Sequence, residues 1–219
     1  MTLVALFAAA CGGVRAAEST VVATYGAQTL RFTHVESSPG GLAIGVSDPA
    51  FADLLRATGA VMTWKPGERY VLITTAVPVV VSFAVGDRRY DVGPVALQAS
   101  FAPYQSGSDV YLPFDEVLRS LNLALRRDST GTVLQPQLAS LDVQTFGDRV
   151  ALVAHAGAPL YPRVVTDTPV AVTYEFDGVG TTLVGTRPVN GGGVRSIQIT
   201  QSGTARDPKT LITVSLLPG

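Results

Sequence analysis

The chain is poor in the residues that most often build catalytic centres. It has one cysteine, Cys11, and two histidines, His34 and His155, among 219 residues. A single cysteine leaves no pair to close a disulfide, so the chain must hold together by packing. A catalytic zinc site takes about three protein ligands of His, Cys or carboxylate type. The sequence contains neither an H-E-x-x-H stretch nor paired cysteines, and no G-x-S-x-G elbow for a serine nucleophile. Its one glycine-rich stretch, NGGGVR from Asn190 to Arg195, fits neither a Walker loop nor G-x-G-x-x-G. It runs into a strand where those motifs run into a helix, so it reads as a flexible turn. No catalytic constellation, metal or cofactor is expected from this inventory.

Charge is scarce as well. Charged residues make up 15% of the chain, and 16 Lys and Arg stand among 17 Asp and Glu for a net charge of −1. A nucleic-acid partner needs a basic face to neutralise phosphates, and none is present in so even a mixture. The longest apolar run near the start, Leu3 to Ala10, is too short to span a bilayer. What the chain does have is 47% hydrophobic residues and 22 glycines, a composition of packed, turn-rich proteins rather than disordered ones. Its length suits one large or two small domains, and two are expected.

The first seventeen residues, with the apolar run followed by small residues, resemble the hydrophobic region and cleavage zone of an export signal without its basic start. Val14-Arg15-Ala16 offers the small residues that signal peptidase reads. Ala8-Ala9-Ala10-Cys11 is also a loose lipobox, which would make Cys11 a lipid-bearing N-terminus. An ordinary apolar start to a cytosolic chain is the alternative.

From residue 18 to 137 the pattern is short strands around two helices. In DPAFADLLRATGA, Asp48 is placed to cap a helix, Pro49 to occupy its first position and Gly59 to stop it. Phe51, Leu54, Leu55 and, loosely, Thr58 fall on one helical face. Phe114, Val117, Leu118 and Leu121 repeat that spacing, with Asn122 where Gly59 stands in the first copy. Each helix is followed by a strand, a turn (Lys65-Pro66-Gly67 or Ser129-Thr130-Gly131) and a second strand. Val85-Gly86-Asp87-Arg88 reads as a further hairpin turn. This is a duplicated helix-plus-hairpin unit in which each copy covers the other's apolar face. Asp115 with Arg119, and Asp53 with Arg56, read as exposed ion pairs along their helices. Trp64 reads as a packing aromatic.

From 138 to 219 the helices stop. Strands alternate around the turn at Gly147-Asp148, and Ile197 and Ile199, then Ile212, Val214 and Leu216, recur at every second position between polar residues. That patterning predicts a β-sandwich, so the chain is expected to be mainly β with an α+β N-terminal part. His155, ending RVALVAH, reads as a surface or internally satisfied histidine. Tyr161, Arg163 and Tyr174 are the aromatic and guanidinium groups best suited to contact a glycan or peptide. Arg195, Gln198 and Gln201, at outward positions of the final strands, join them as candidate ligand-binding residues.

The stretch VYLPFDEVLRSLNLALRRDSTGTVLQ resembles the repeat of the copper amine oxidase N-terminal-like family, also called the stalk domain. That pattern runs V-P-L-R, a short helix, a Leu-Gly-Ala stop and a hairpin. Leu112-Pro113-Phe114 stands for the opening, Leu121-Asn122-Leu123 for the stop, and GDRRYDVGP resembles the preceding strand. The family usually has Arg where Asp115 stands and Glu where Arg119 stands, so the signs are exchanged. Copper amine oxidase catalysis uses three histidine ligands in another domain, and this chain lacks them. The second half is similar to the AMIN domain found ahead of N-acetylmuramoyl-L-alanine amidases and in envelope secretins. The similar segments are LDVQTFGDRVALVAHAG, VAVTYEFDGV, VRSIQITQSG and TLITVSLL. The resemblance implies an exported, non-catalytic protein of the periplasm or cell envelope that binds peptidoglycan. Two alternatives stay open: the targeting region of an amidase whose hydrolase domain lies beyond Gly219, and an envelope module that binds a protein partner through a sheet edge.

Overall fold

The structure, a computed structural model, describes residues 18–147 and 149–217. Cys11 and the leader-like run around it lie outside the described residues. The chain is mainly β. It opens with β1 (Glu18–Tyr25), β2 (Gln28–Ser38) and β3 (Gly41–Gly45), followed by helix α1 (Pro49–Thr58). A meander comes next: β4 (Val61–Lys65), β5 (Tyr70–Thr74), β6 (Val80–Ala84), β7 (Arg89–Val92) and β8 (Val95–Gln98). Then β9 (Tyr104–Ser106) and β10 (Asp109–Pro113) lead into helix α2 (Phe114–Ser120), and β11 (Leu123–Asp128) turns back into the long β12 (Gly131–Phe146). The rest is strand: β13 (Arg149–Ala156), β14 (Arg163–Thr168), β15 (Ala171–Asp177), β16 (Gly180–Thr181), β17 (Gly185–Gly191), β18 (Val194–Gly203) and β19 (Pro208–Leu216). Among the described residues no helix is long and apolar enough to cross a membrane.

Both helices form where their spacing predicts. The Asp48 carboxylate accepts the Phe51 N–H at 3.1 Å, Pro49 opens α1, and Gly59 closes it in the left-handed region at φ 71°. Phe51, Leu54 and Leu55 are buried, each stabilising by about 1.5–3 kcal/mol. Thr58 stays off the core and turns its hydroxyl back to the Leu54 carbonyl at 3.0 Å. At the end of α2, Asn122 takes up the left-handed conformation at φ 55°, which its short polar side chain tolerates. One expected pair is corrected: no ion pair joins Asp115 to Arg119 among the described residues, because Arg119 turns to the Tyr90 hydroxyl instead. Asp53 and Arg56 do pair, at 2.7 Å.

The strands preceding the two helices, β3 and β10, lie antiparallel with Ile44 opposite Leu112. They belong to one sheet, ordered β11-β12-β1-β2-β3-β10-β9. Its inner face, the meander and both helices enclose the first core, in which Phe32 meets the edge of Phe114 with ring centres 5.1 Å apart. Phe83 and Tyr90 stack within the meander at 5.0 Å.

Strand β12 belongs to two cores. Its first half pairs with β11 and β1, and its second half pairs with β13 and β16. Accordingly Leu134 packs in the first core while Leu138 and Leu141 pack in the second. The divide expected between Gln137 and Leu138 falls inside this unbroken strand. The two halves are therefore joined through one continuous hydrogen-bonded strand rather than by a linker, with an irregularity in its pairing between Leu138 and Ser140.

Candidate functional site

The second core lies between two β layers. One is the five-stranded sheet β14-β15-β19-β18-β17, and the other is the end of β12 with β13 and β16. Alternate residues point alternately to the two faces of a sheet. Phe176, Ile197, Ile199, Ile212 and Val214 face Leu138 and Leu141 in the core. Their neighbours in sequence therefore face outward; Thr166, Thr186 and Gln198 are exposed, Thr213 is half-buried and Thr173 is buried.

Register turns these outward residues into rows. Thr186 lies opposite Gln198, Gln198 opposite Thr213, Thr213 opposite Thr173, and Thr173 opposite Thr166, one residue from each of the five strands. The Thr173 and Thr213 hydroxyls are 3.0 Å apart and hydrogen-bonded. On one side lies a row of Ser196, Ser215, Ala171 and Thr168, and on the other a row of Thr200, Leu211, Glu175 and Arg163. The result is a face rich in short hydroxyl side chains with Gln198 in its middle row. Hydroxyls and the carboxamide both donate and accept, so the face can meet a ligand that does the same.

Charges gather at the Glu175 end. Glu175 pairs with Arg163 and lies 3.9 Å from Lys209, which also pairs with Asp177 at 3.0 Å. The hydrogen bond from Lys209 holds the Asp177 carboxyl below its usual range, and the same bond raises Lys209. The hydrogen bond to Glu175 raises Arg163.

The six candidate residues divide accordingly. Gln198 and Arg163 share this face, with two strands between them. Tyr161 precedes β14 and is 82% exposed. Tyr174 points the other way, packing against the second core and lining a groove between the layers. Arg195 is exposed at the irregularity where β18 slips against β19. Gln201 accepts the Thr181 N–H at 3.0 Å, tying β18 to the opposite layer.

Two clusters carry no sequence motif. In the first half, Ser47, His34 and Asp109 meet. The Ser47 hydroxyl donates to Asp109 at 2.6 Å, while His34 Nδ1 lies 2.9 Å from Ser47 Oγ and 3.3 Å from Asp109 Oδ2. A serine triad places serine and carboxylate on opposite nitrogens of the imidazole. Here both crowd Nδ1, and the serine proton goes to the carboxylate, so the cluster ties the approach to α1 to β10. The second cluster joins the halves. Arg206, in the turn between β18 and β19, donates to the Thr130 hydroxyl at 2.6 Å and pairs with Asp128 at 3.2 Å. Gln135 donates to the Ala205 carbonyl at 3.0 Å, and Gln137 donates to the Gln135 side chain at 2.7 Å.

No protein-family model matches the sequence, and no curated protein or solved structure matches it.

Proposed function

We propose that this chain is an exported, non-catalytic module of the bacterial cell envelope that binds peptidoglycan through the outward face of its five-stranded sheet. On this reading residues 138–219 form an AMIN-like β-sandwich, and residues 18–137 a duplicated stalk-like domain that holds it at a fixed orientation. The observation that carries the reading is the in-register row of Thr186, Gln198, Thr213, Thr173 and Thr166, of which Thr186, Gln198 and Thr166 are exposed. Glycan hydroxyls and acetamido groups need partners that donate and accept, and side chains this short hold those partners in a plane at little entropic cost. The continuous β12 supports a spacer role for the first half, since one hydrogen-bonded strand contributes to both cores.

Co-sedimentation with purified peptidoglycan sacculi tests the proposal. The full chain is expected in the pellet, and Gln198→Ala combined with Thr186→Ala is expected to lower the bound fraction several-fold. Thr63→Ala, on the exposed face of the meander, is expected to leave it unchanged. A chain that stays in the supernatant, or a double variant that binds like the parent, overturns the proposal.

A further inference from the structure

The two layers of the second half are not equally wide. Five strands form one layer, and the layer that faces it ends at β13. On one side β13 pairs with β12 along its length from Arg149 to Ala156; on its other side it pairs with no strand among the described residues. Beside that free edge runs a groove of about 500 Å³, a size typical of ligand-holding clefts. Leu152 and Ala154 of β13, Tyr174 and Val214 of the five-stranded sheet, and Leu160 and Pro162 between β13 and β14 are among the residues that line it. Among the described residues no charged side chain lines it. Past it, Val164 and Val170 remain 54% and 62% exposed.

An unpaired edge offers backbone donors and acceptors, while a groove beneath it offers space for side chains at every second position of an added strand. A small apolar ligand would use only the groove. The occupant that uses both is an extended polypeptide. Its charge follows from the ends of β13. At one end His155 Nε2 lies 3.8 Å from the Asp142 carboxylate, whereas at the other Arg149 is exposed with no ion pair among the described residues. The exposed acid Asp167 lies opposite Val172, on the groove-side face of the edge strand β14, where it would repel a second acid, so an incoming carboxylate is favoured at Arg149 instead.

We propose that this edge and groove accept a strand from a partner protein, with uncharged apolar side chains at alternate positions and a carboxylate beside Arg149. The site is separate from the hydroxyl face, and either can fail without the other.

The test uses the full chain and a phage-displayed library of random dodecapeptides. Selected peptides are expected to share apolar residues at alternate positions with an acidic residue at one end. Their binding is expected to slow amide hydrogen exchange between Arg149 and Ala156. Ala154→Arg, which fills the groove with a charge, is expected to weaken a selected peptide by roughly tenfold or more. Arg149→Glu, an exposed change that leaves the core intact, is expected to reverse the preference between versions of that peptide ending in Asp and in Lys. A selection with no alternating pattern, protection at another edge such as β8, an unchanged end-charge preference, or a dimer that already occupies β13 overturns the proposal.

Discussion

Replacing Asp48 removes more than a helix cap. The carboxylate is fully buried, and its two oxygens take three backbone donors: Phe51 N–H at 3.1 Å, and Thr33 and His34 N–H at 2.7 Å each. It therefore joins the start of α1 to strand β2. Losing a cap costs about 0.5–2 kcal/mol, and hydrogen bonds to a charged group contribute about 1.5–3 kcal/mol each. These contributions overlap, and only the Phe51 bond is fully buried while those from Thr33 and His34 are part-buried, so Asp48→Ala is expected to destabilise the chain by about 3 kcal/mol. That is a large share of the roughly 5–15 kcal/mol that holds a typical domain together. Asp48→Asn keeps one acceptor oxygen and sets an NH2 group against the remaining donors, and about 2 kcal/mol is expected. Urea unfolding followed by circular dichroism measures both, the midpoint falling at unchanged slope. A loss below about 1 kcal/mol for the alanine variant, or equal losses for the two variants, would refute the reasoning.

Two further predictions concern the joint between the halves. A Cβ added at Gly157 would lie 2.2 Å from the Asn122 carbonyl oxygen and 3.1 Å from that of Leu121, so Gly157→Ala is expected to cost about 2 kcal/mol. Gly67→Ala, with nothing within 4 Å, is expected to stay within about 0.5 kcal/mol, and thermal melts of the two variants compare them directly. Asp128 is held below its usual value of 3.8, chiefly by the Thr130 hydroxyl and N–H and further by Arg206. A carboxyl lowered in the folded state stabilises above its usual value, and that stabilisation is lost as pH falls through the lowered one. Melting temperature measured from neutral pH downward is expected to drop below about pH 4, and Asp128→Asn to flatten part of that drop. An acid limb identical in the variant would contradict the assignment.

What could be read in the sequence was what neighbouring residues determine together. Asp48, Pro49 and Gly59 bracket α1 within a dozen positions, and Ile197 and Ile199 mark the buried face of β18 by simple alternation. The parallel pairing of β1 with β12 joins Ala23 to Thr132, and no local pattern records so distant a partner. For the same reason β12 read as two strands with a divide between them, although one strand serves both cores. Asp115 and Arg119 had the spacing of an ion pair, but tertiary packing set Tyr90 beside the guanidinium. The candidate face was legible only in part. Gln198 stands out as an outward polar position of a final strand and Arg163 as a guanidinium suited to a glycan or peptide, whereas Thr166, Thr173, Thr186 and Thr213 are ordinary strand residues until register aligns them. Tyr174 shows the limit of choosing by residue type, since its position in β15 turns the ring toward the groove.

The most direct test of the proposed function is amide chemical-shift mapping of the full chain titrated with a soluble disaccharide–tetrapeptide fragment of peptidoglycan. The account predicts saturable shifts concentrated at Thr166, Thr173, Thr186, Gln198 and Thr213, with the first half unmoved. No saturable shift, or shifts confined to the groove beside β13 or to the first half, would contradict it.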